Sequence, residues 1–231
     1  MRTLGLIGGM SWESTAIYYR LLNEGVRARL GGLHSARLVL WSCDFEDIAR
    51  RQAEGDWDGA GRILGEAGRA LRAAGADGIV LCTNTMHKVA SFIEEAAGLP
   101  FLHLADVTAA AIRAHGCRRP LLLATRYTME DDFYKGRLRD RHGITVAVPD
   151  AEGRSEVHRV IYEELCRGVV DATSKARVLD VIARSRGEGC DGVILGCTEL
   201  GMLLGPTDSP DPVLDTTRLH VEAALDFALA A

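Results

Sequence analysis

Two cysteines that each end an apolar run and precede a threonine are the residues best suited to chemistry in this sequence. Residues 75–84 (GADGIVLCTN) and 189–199 (GCDGVILGCTE) have a small-residue turn, a run typical of a β-strand buried on both faces, and then Cys82 or Cys197. In open α/β sheets the reacting groups lie just past the carboxyl ends of such strands. We therefore expect Cys82 and Cys197 to face each other across one site.

A pair of thiols at equivalent positions favours symmetric chemistry over a single nucleophile. One thiol group would remove a proton from one face of a carbon acid and the other would return a proton to the opposite face, which inverts the stereocentre. The thiol pKa of about 8.5 can be lowered by helix N-termini and nearby donors, so we expect one thiolate and one thiol at rest. The remaining cysteines, Cys43, Cys117, Cys166 and Cys190, are predicted to be small buried hydrophobes.

The elements that must position this pair form a repeated pattern of strands and helices. Leu4 and Leu121, in the first strand of each half, are 117 residues apart, and the two cysteines are 115 residues apart. Such a repeat predicts a duplicated α/β fold. We expect two pseudo-symmetric lobes, each with a mainly parallel sheet flanked by helices, and an active site in the inter-lobe cleft.

The lobe boundaries and several weaker elements follow from the same pattern. Residues 1–107 and 214–231 are assigned to the first lobe, and residues 108–213 to the second. A final helix is expected to return to the first lobe and to have no counterpart in the repeat, after an irregular connection marked by prolines. This helix is predicted at 216–230, and the prolines before it are at 206, 210 and 212. Short strands are predicted at 99–103 and 144–148, and helices at 129–141 and 156–167.

Composition and charge limit the classes of function. With 231 residues, 47% of them hydrophobic and 26% charged, the chain is typical of a soluble globular protein, and its net charge of −5 gives no reason to expect nucleic acid or membrane as a partner. The N-terminus lacks signal-peptide features and no apolar stretch of about 18 residues occurs, which predicts a cytoplasmic protein. Because no CxxC pair is present, no structural metal site is expected.

Four short motifs, spread along the whole chain, carry a resemblance to a known family. They are Gly8-Gly9-Met10, Cys82-Thr83-Asn84-Thr85, Gly196-Cys197-Thr198-Glu199 and Asp215-Thr216-Thr217. In this order they resemble the aspartate/glutamate racemase superfamily. Glutamate racemases typically have Asp-Ser-Gly after the first strand and a histidine two residues after the second cysteine. Here Glu199 replaces that histidine, so the chain is similar to the aspartate racemase branch, which includes broad amino-acid racemases.

The resemblance implies an isomerase that needs no cofactor. It would interconvert the L- and D-enantiomers of an amino acid, aspartate and/or glutamate, by two-base proton transfer with a thiolate/thiol pair at Cys82 and Cys197. It also implies a small-molecule substrate and a homodimer.

Polar residues beside the cysteines are the candidate substrate contacts. The backbone N–H groups and side chains of Thr83, Asn84 and Thr85 can bind the substrate carboxylate, because they follow a strand and open a helix. Thr198 and Glu199 occupy the equivalent place in the second half, where Glu199 can accept from the substrate ammonium. The alternative for these residues is ordinary helix capping.

A carboxylate in the substrate side chain would need a cation, and the family uses a pair of basic residues. Arg50 and Arg167 end matching helices 117 residues apart, which favours them as this pair. Arg51 and Gln52 are adjacent alternatives to Arg50.

Two further residues are candidates near the first cysteine. Met10 is expected to line the pocket floor. His87, five residues after Cys82, is either a general base or a residue that faces the interior or solvent.

Three other functions are compatible with parts of the pattern. The glycines of residues 4–9 could bind a dinucleotide, but their spacing departs from GxGxxG. Isomerases or decarboxylases of small dicarboxylic acids use the same two-lobed scaffold. A non-catalytic binding protein is the third alternative, and the two cysteines argue against it.

Overall fold

Buried apolar runs become the strands of two separate parallel sheets in the computed structural model, which describes residues 1–230. The chain divides into two units: the first contains Met1–His103 and residues 220–230, and the second contains Leu104–Leu219. The predicted fold class, α/β with parallel sheets flanked by helices, is confirmed. The lobe boundaries after residues 107 and 213 stay a prediction.

Helices and strands alternate along both units. The elements up to residue 103 are β1 (Leu4–Gly8), α1 (Trp12–Leu30), β2 (Leu38–Ser42), α2 (Phe45–Glu54), α3 (Trp57–Ala73), β3 (Gly78–Leu81), a 3₁₀ helix (Thr85–Val89) and α4 (Ala90–Ala97). The later elements are α5 (Leu104–Ala114), β4 (Leu121–Leu123), α6 (Arg126–Glu130), α7 (Asp132–His142), α8 (Ala151–Arg159), a π-helical segment (Val160–Glu164), a 3₁₀ turn (Leu165–Arg167), α9 (Ala172–Gly187), β5 (Val193–Leu195), α10 (Leu200–Leu203), β6 (Val213–Asp215) and α11 (Thr216–Leu229).

In the first unit β1 is the central strand, with β2 and β3 parallel to it on either side. Residues of α3 and α4 bury one face of this sheet, while α1 and the end of α11 bury the other through residues such as Leu22 and Leu225. Ile7 lies opposite Leu81, so the carboxyl ends of β1 and β3 are neighbours. The residues that follow these two strands therefore share one edge of the sheet.

In the second unit β5 is central, and Ile194 lies opposite both Leu122 of β4 and Leu214 of β6. The prediction of an irregular connection before α11 is wrong in part, because β6 forms there. Pro212 has no N–H to donate, but its carbonyl accepts a hydrogen bond from Val193 N at 2.8 Å, so the strand pairs directly after the proline.

Two helices predicted as continuous are interrupted. Asp131 adopts an extended conformation (φ −70°, ψ 158°), which separates α6 from α7. After α8 the chain continues as the π-helical segment Val160–Glu164 and the 3₁₀ turn Leu165–Arg167. A π-helical turn holds an extra residue, so the side chains beyond it are rotated relative to a regular helix.

The predicted strands at 99–103 and 144–148 are each reduced to a single bridge, Phe101 with Ile79 and Ala147 with Leu121. The α5 helix follows the Phe101 bridge just as α11 follows β6, so the expectation that α11 has no counterpart is wrong. None of the helices within residues 1–230 is long and apolar enough to cross a lipid bilayer.

Candidate active site

The Cys82 turn, residues 82–85, follows β3 at the carboxyl edge of the first sheet. Cys82 is fully buried, and its N–H donates to the Ile7 carbonyl of β1 at 2.9 Å. Asn84 is buried, Thr83 is half-buried, and Thr85 begins the 3₁₀ helix. The three predicted carboxylate contacts are therefore consecutive residues beside the thiol.

The loop after β1 lies at the same edge of the first sheet. Gly9 has φ +91°, and a Cβ there would collide with the backbone of Cys43, so only glycine fits. The Gly9 N–H donates to Thr15 Oγ1 at 2.9 Å. Met10, which follows it, is buried in the same apolar cluster as Met86, just beyond the Cys82 turn.

The α2 helix separates the three candidates for the first side-chain contact, of which Arg51 is paired with Asp56. Gln52 is buried and its Nε2 donates to Met86 Sδ at 2.9 Å, so its amide lies against the residue after the Cys82 turn. Arg50 is exposed and pairs with Asp47 at 3.7 Å and Glu54 at 3.4 Å on its own helix. The structure thus brings Gln52, and not Arg50, to the Cys82 turn.

The Cys197 turn, residues 197–200, follows β5 in the second unit. The Cys197 thiol donates to Glu199 Oε2 at 2.9 Å, and both side chains are buried. Thr198 is also buried, and its carbonyl accepts from Gly201 N at 3.3 Å. The carboxylate predicted to accept from the substrate ammonium is thus in direct contact with the second thiol.

Arg167 ends the 3₁₀ turn that packs against α10, immediately after the Cys197 turn. Its side chain is exposed, and among residues 1–230 it has no hydrogen-bond or ion-pair partner. The guanidinium is therefore available to bind an anion.

Sequence reasoning missed Tyr162 and underestimated Cys166, which lie near Cys197 in the second unit. Burial raises the pKa of Tyr162, with smaller contributions from the charges of Tyr127, Cys197 and Cys166. Tyr162 lies in the π-helical segment and Cys166 lies just after it, in the 3₁₀ turn, and the sequence has no recognisable signal for a π-helical segment.

His87 faces the interior, where its ring contacts other histidines of the first unit. It is buried, its ring centroid lies 4.7 Å from that of His103, and its Nδ1 lies 2.8 Å from the Thr83 carbonyl oxygen. Burial is the main cause that lowers the pKa of His87. Of the two sequence-based alternatives, the structure favours the interior residue.

The expected lowering of the thiol pKa values is wrong in direction. Burial raises the pKa of Cys82, and burial together with the Glu199 charge raises the pKa of Cys197. In the free protein both groups are therefore thiols at neutral pH. The two turns offer buried proton donors rather than a preformed nucleophile.

No metal-binding arrangement of three or more His, Cys, Asp or Glu side chains occurs among the described residues 1–230. All six cysteines are free thiols, of which Cys190 is buried and Cys43, Cys117 and Cys166 are half-buried.

Comparison with known proteins identifies the family. The sequence model of the Asp/Glu/Hydantoin racemase family matches residues 7–224. A protein of Yersinia pestis, solved as a candidate Asp/Glu racemase, is 53% identical with a TM-score of 0.94, and the match covers 99% of this chain and 100% of that one. An aspartate racemase homologue from Pyrococcus horikoshii is 34% identical with a TM-score of 0.87, covering 99% of both chains.

A curated relative, the broad specificity amino-acid racemase of Bacillus subtilis, is 20% identical over 98% of both chains. The prediction of an amino-acid racemase, an isomerase, is confirmed at the level of the family. Because the family model matches residues 7–224, nearly the whole of the sequence, this chain belongs to the Asp/Glu/Hydantoin racemase family.

Proposed function

We propose that this chain is a cofactor-independent amino-acid racemase that acts on aspartate, glutamate or both, by two-base proton transfer between Cys82 and Cys197. The observation that carries the proposal is the equivalence of the two turns. In each turn, the backbone N–H of the fifth residue after the cysteine donates to the carbonyl of the second residue after the cysteine. These hydrogen bonds run from His87 N to Asn84 O at 3.1 Å and from Met202 N to Glu199 O at 3.0 Å. Equivalent turns at strand ends are what a two-face reaction requires.

Glu199 is proposed as the proton acceptor for Cys197. Because the thiol already donates to Oε2 at 2.9 Å, transfer of this proton would leave a thiolate and a carboxylic acid without changing the net charge. The thiolate then takes the substrate α-proton from one face, while the Cys82 thiol gives its proton to the other face and becomes the thiolate. The opposite direction starts from the state that this turnover leaves, with Cys82 a thiolate, Cys197 a thiol and Glu199 protonated, and runs the same steps backwards.

The raised pKa values mean that forming a thiolate costs free energy, about 1.4 kcal/mol for each pKa unit above the ambient pH. The substrate supplies a compensating charge, since its ammonium group beside a sulfur favours the thiolate. We therefore propose that the thiolate/thiol pair forms when the amino acid binds.

Substrate carboxylates are assigned to donors on both turns. The backbone N–H groups of Asn84 and Thr85 bind the α-carboxylate, with Thr83 and Thr198 as neighbouring hydroxyl donors. For the side-chain carboxylate we propose Arg167, because its guanidinium is uncommitted within residues 1–230.

On the α2 helix we prefer Gln52 to Arg50 as the side-chain contact. Gln52 lies against Met86, whereas Arg50 would have to leave Asp47 and Glu54. Met10 stays assigned to the pocket floor, because it is buried in the same apolar cluster as Met86.

The proposal includes a cytoplasmic homodimer. Leu40 and Trp41 of the edge strand β2 are 45% and 44% exposed, and an exposed apolar strand edge favours pairing with a second copy. Light scattering after gel filtration tests the dimer. A monomeric mass at micromolar concentration would remove the dimer from the proposal, and fractionation of cells tests the location.

Chiral chromatography of all common amino acids, incubated in deuterium oxide without pyridoxal phosphate, tests the activity. We expect racemisation with deuterium at the α-position of aspartate or glutamate, and its loss in Cys82→Ala and in Cys197→Ala. Cys190→Ala is the matched control, a buried cysteine of the second unit that should keep nearly full activity. Absence of exchange with every amino acid would overturn the proposal.

A further inference from the structure

Behind the Cys82 turn lies a group of buried histidines that the proposed proton transfer does not use. This histidine cluster consists of His87, His103 and His220, which are 3%, 4% and 0% exposed. The ring centroid of His87 is 4.7 Å from that of His103 and 5.9 Å from that of His220. Three titratable rings in contact within one interior need a common explanation, because each charge would raise the cost of the next.

The hydrogen bonds of His220 match a neutral imidazole that is protonated at Nε2. Its Nε2 lies 2.7 Å from the Leu102 carbonyl oxygen, which can only accept, so Nε2 carries the proton. Its Nδ1 then accepts from the Tyr18 hydroxyl at 2.9 Å. Burial lowers the pKa of His220 to about 4, in agreement with a neutral ring.

The same reasoning assigns the proton of His87 to Nδ1. This nitrogen lies 2.8 Å from the Thr83 carbonyl oxygen, an acceptor, so the ring donates to the residue immediately after Cys82. The backbone N–H of His87 donates to the Asn84 carbonyl at 3.1 Å. One residue therefore holds two consecutive carbonyl groups of the Cys82 turn.

A hydrogen bond that fixes the orientation of a carbonyl group also fixes the direction of the N–H of the next residue. In a planar trans peptide the C=O and N–H bonds point in opposite directions. When His87 holds the Thr83 carbonyl toward the interior, the Asn84 N–H points away from it. When it holds the Asn84 carbonyl, the Thr85 N–H is oriented in the same manner. These are the two donors assigned to the substrate carboxylate.

We propose that His87 is a positioning residue that, as a neutral Nδ1–H donor, orients the Asn84 and Thr85 N–H groups toward the substrate carboxylate. The inference rests on the proposed racemase function. It assigns no proton transfer to His87, since the donating nitrogen is engaged with Thr83. The second unit has no equivalent ring, because Met202 occupies the matching position and is 40% exposed.

Two substitutions of His87 separate its hydrogen bond from its bulk. His87→Asn places an amide N–H near the position of Nδ1, whereas His87→Leu keeps comparable volume without a donor. We expect His87→Leu to lower kcat about 10- to 100-fold with a smaller change in KM, because misaligned donors stabilise the transition state less. His87→Asn should keep kcat within about threefold of wild type for the same reason.

A substitution of the exposed His34, His34→Leu, is the matched control and should leave kcat and KM unchanged. Circular dichroism establishes that each variant is folded. Retention of more than half of the wild-type kcat in His87→Leu would overturn the inference. So would an equal loss of kcat in folded His87→Asn and His87→Leu, since that would make the ring itself necessary.

Nitrogen NMR of histidine-labelled wild-type protein tests the neutral tautomer independently of activity. The signals that are present in the wild type and missing in His87→Leu belong to the His87 ring. Their chemical shifts should be those of a neutral ring protonated at Nδ1, and they should not change down to pH 5.5. A ring protonated at Nε2, or one that titrates near pH 6.5, would contradict the inference. If the wild type racemised no amino acid, the proposed function would fail, and the NMR result would still decide the state of His87.

Discussion

The two cysteine turns share a backbone hydrogen-bonding pattern but differ in their chemical surroundings. Cys82 is fully buried beside the histidine cluster, whereas the thiol of Cys197 donates to the carboxylate of Glu199 at 2.9 Å. The backbone hydrogen bonds that His87 N and Met202 N donate within the two turns are nearly identical in length, at 3.1 and 3.0 Å. The two halves thus share the geometry that puts a thiol at a strand end, while the groups around that thiol differ between them.

The backbone near the two turns is also supported differently. In the first unit the Leu102 carbonyl accepts from His220 Nε2, and in the second the Leu195 carbonyl accepts from Thr216 Oγ1, both at 2.7 Å. An imidazole in one half and a hydroxyl in the other satisfy buried backbone carbonyls. Of these two supporting groups, only the imidazole of His220 can take up a proton as the pH falls.

Among the changes that test this difference between the turns, removal of the Glu199 carboxylate should have the largest effect on activity. Glu199→Gln cannot accept the Cys197 proton, so we expect kcat/KM to fall about 100- to 1,000-fold. The exposed Glu188→Gln is the control and should be unaffected. The same change should lower the Cys197 pKa, which the pH dependence of iodoacetamide alkylation measures, because a neighbouring negative charge is lost. More than a tenth of wild-type activity in Glu199→Gln would contradict the role of Glu199.

The histidine cluster should make the first unit sensitive to acid. Burial lowers the pKa of His220 to about 4, while in the unfolded chain it is about 6.5, so the unfolded state binds more protons between these values. The contribution of His220 is fully present above pH 6.5 and is lost as the pH falls toward 4. At pH 5 this loss amounts to about 2 kcal/mol of unfolding free energy.

Urea unfolding at pH 7.5 and 5.0 measures this effect. The wild type should lose more stability on acidification than His220→Gln, which lacks the titrating ring. His115→Gln, at an exposed position of the second unit, should behave as the wild type. Equal acid sensitivity in wild type and His220→Gln would remove the distinction between the two halves.

Loss of the Thr216 hydroxyl, which supports the strand before the Cys197 turn, should have the smallest effect of the three changes. Thr216→Val removes the hydroxyl that donates to Leu195 and should lower the unfolding free energy by about 1–2 kcal/mol. Thr216→Ser keeps the hydroxyl and should lose less, as measured by urea unfolding at pH 7.5. A serine variant as unstable as the valine variant would show that the methyl group, and not the hydrogen bond, matters there.

The strands, the two turns and the family were predictable because their signals are local. Continuous apolar runs set β3 and β5, and the cysteine motifs follow them directly. The strand β6 was missed because Pro212 suggested irregular structure, although only the N–H of a proline is lost to pairing. The π-helical segment was missed because its extra residue has no compositional signature.

The side-chain arrangement of the candidate site depended on information that a linear sequence does not contain. Arg50 and Gln52 are two residues apart on α2, hence about 200° apart around its axis, and the repeat offset could not set the helix phase. His87 meets His220 across 133 residues of sequence. The direction of the thiol pKa shifts follows from burial and from the Glu199 contact, both of which require the folded structure.

Deuterium exchange into each enantiomer by the single-cysteine variants tests the central claim, that each thiol serves one face of one substrate. Neither Cys82→Ala nor Cys197→Ala should racemise the substrate. Each should still exchange the α-proton of one enantiomer without inversion, and the two variants should act on opposite enantiomers. Exchange of the same enantiomer by both variants, or racemisation by either, would contradict the account.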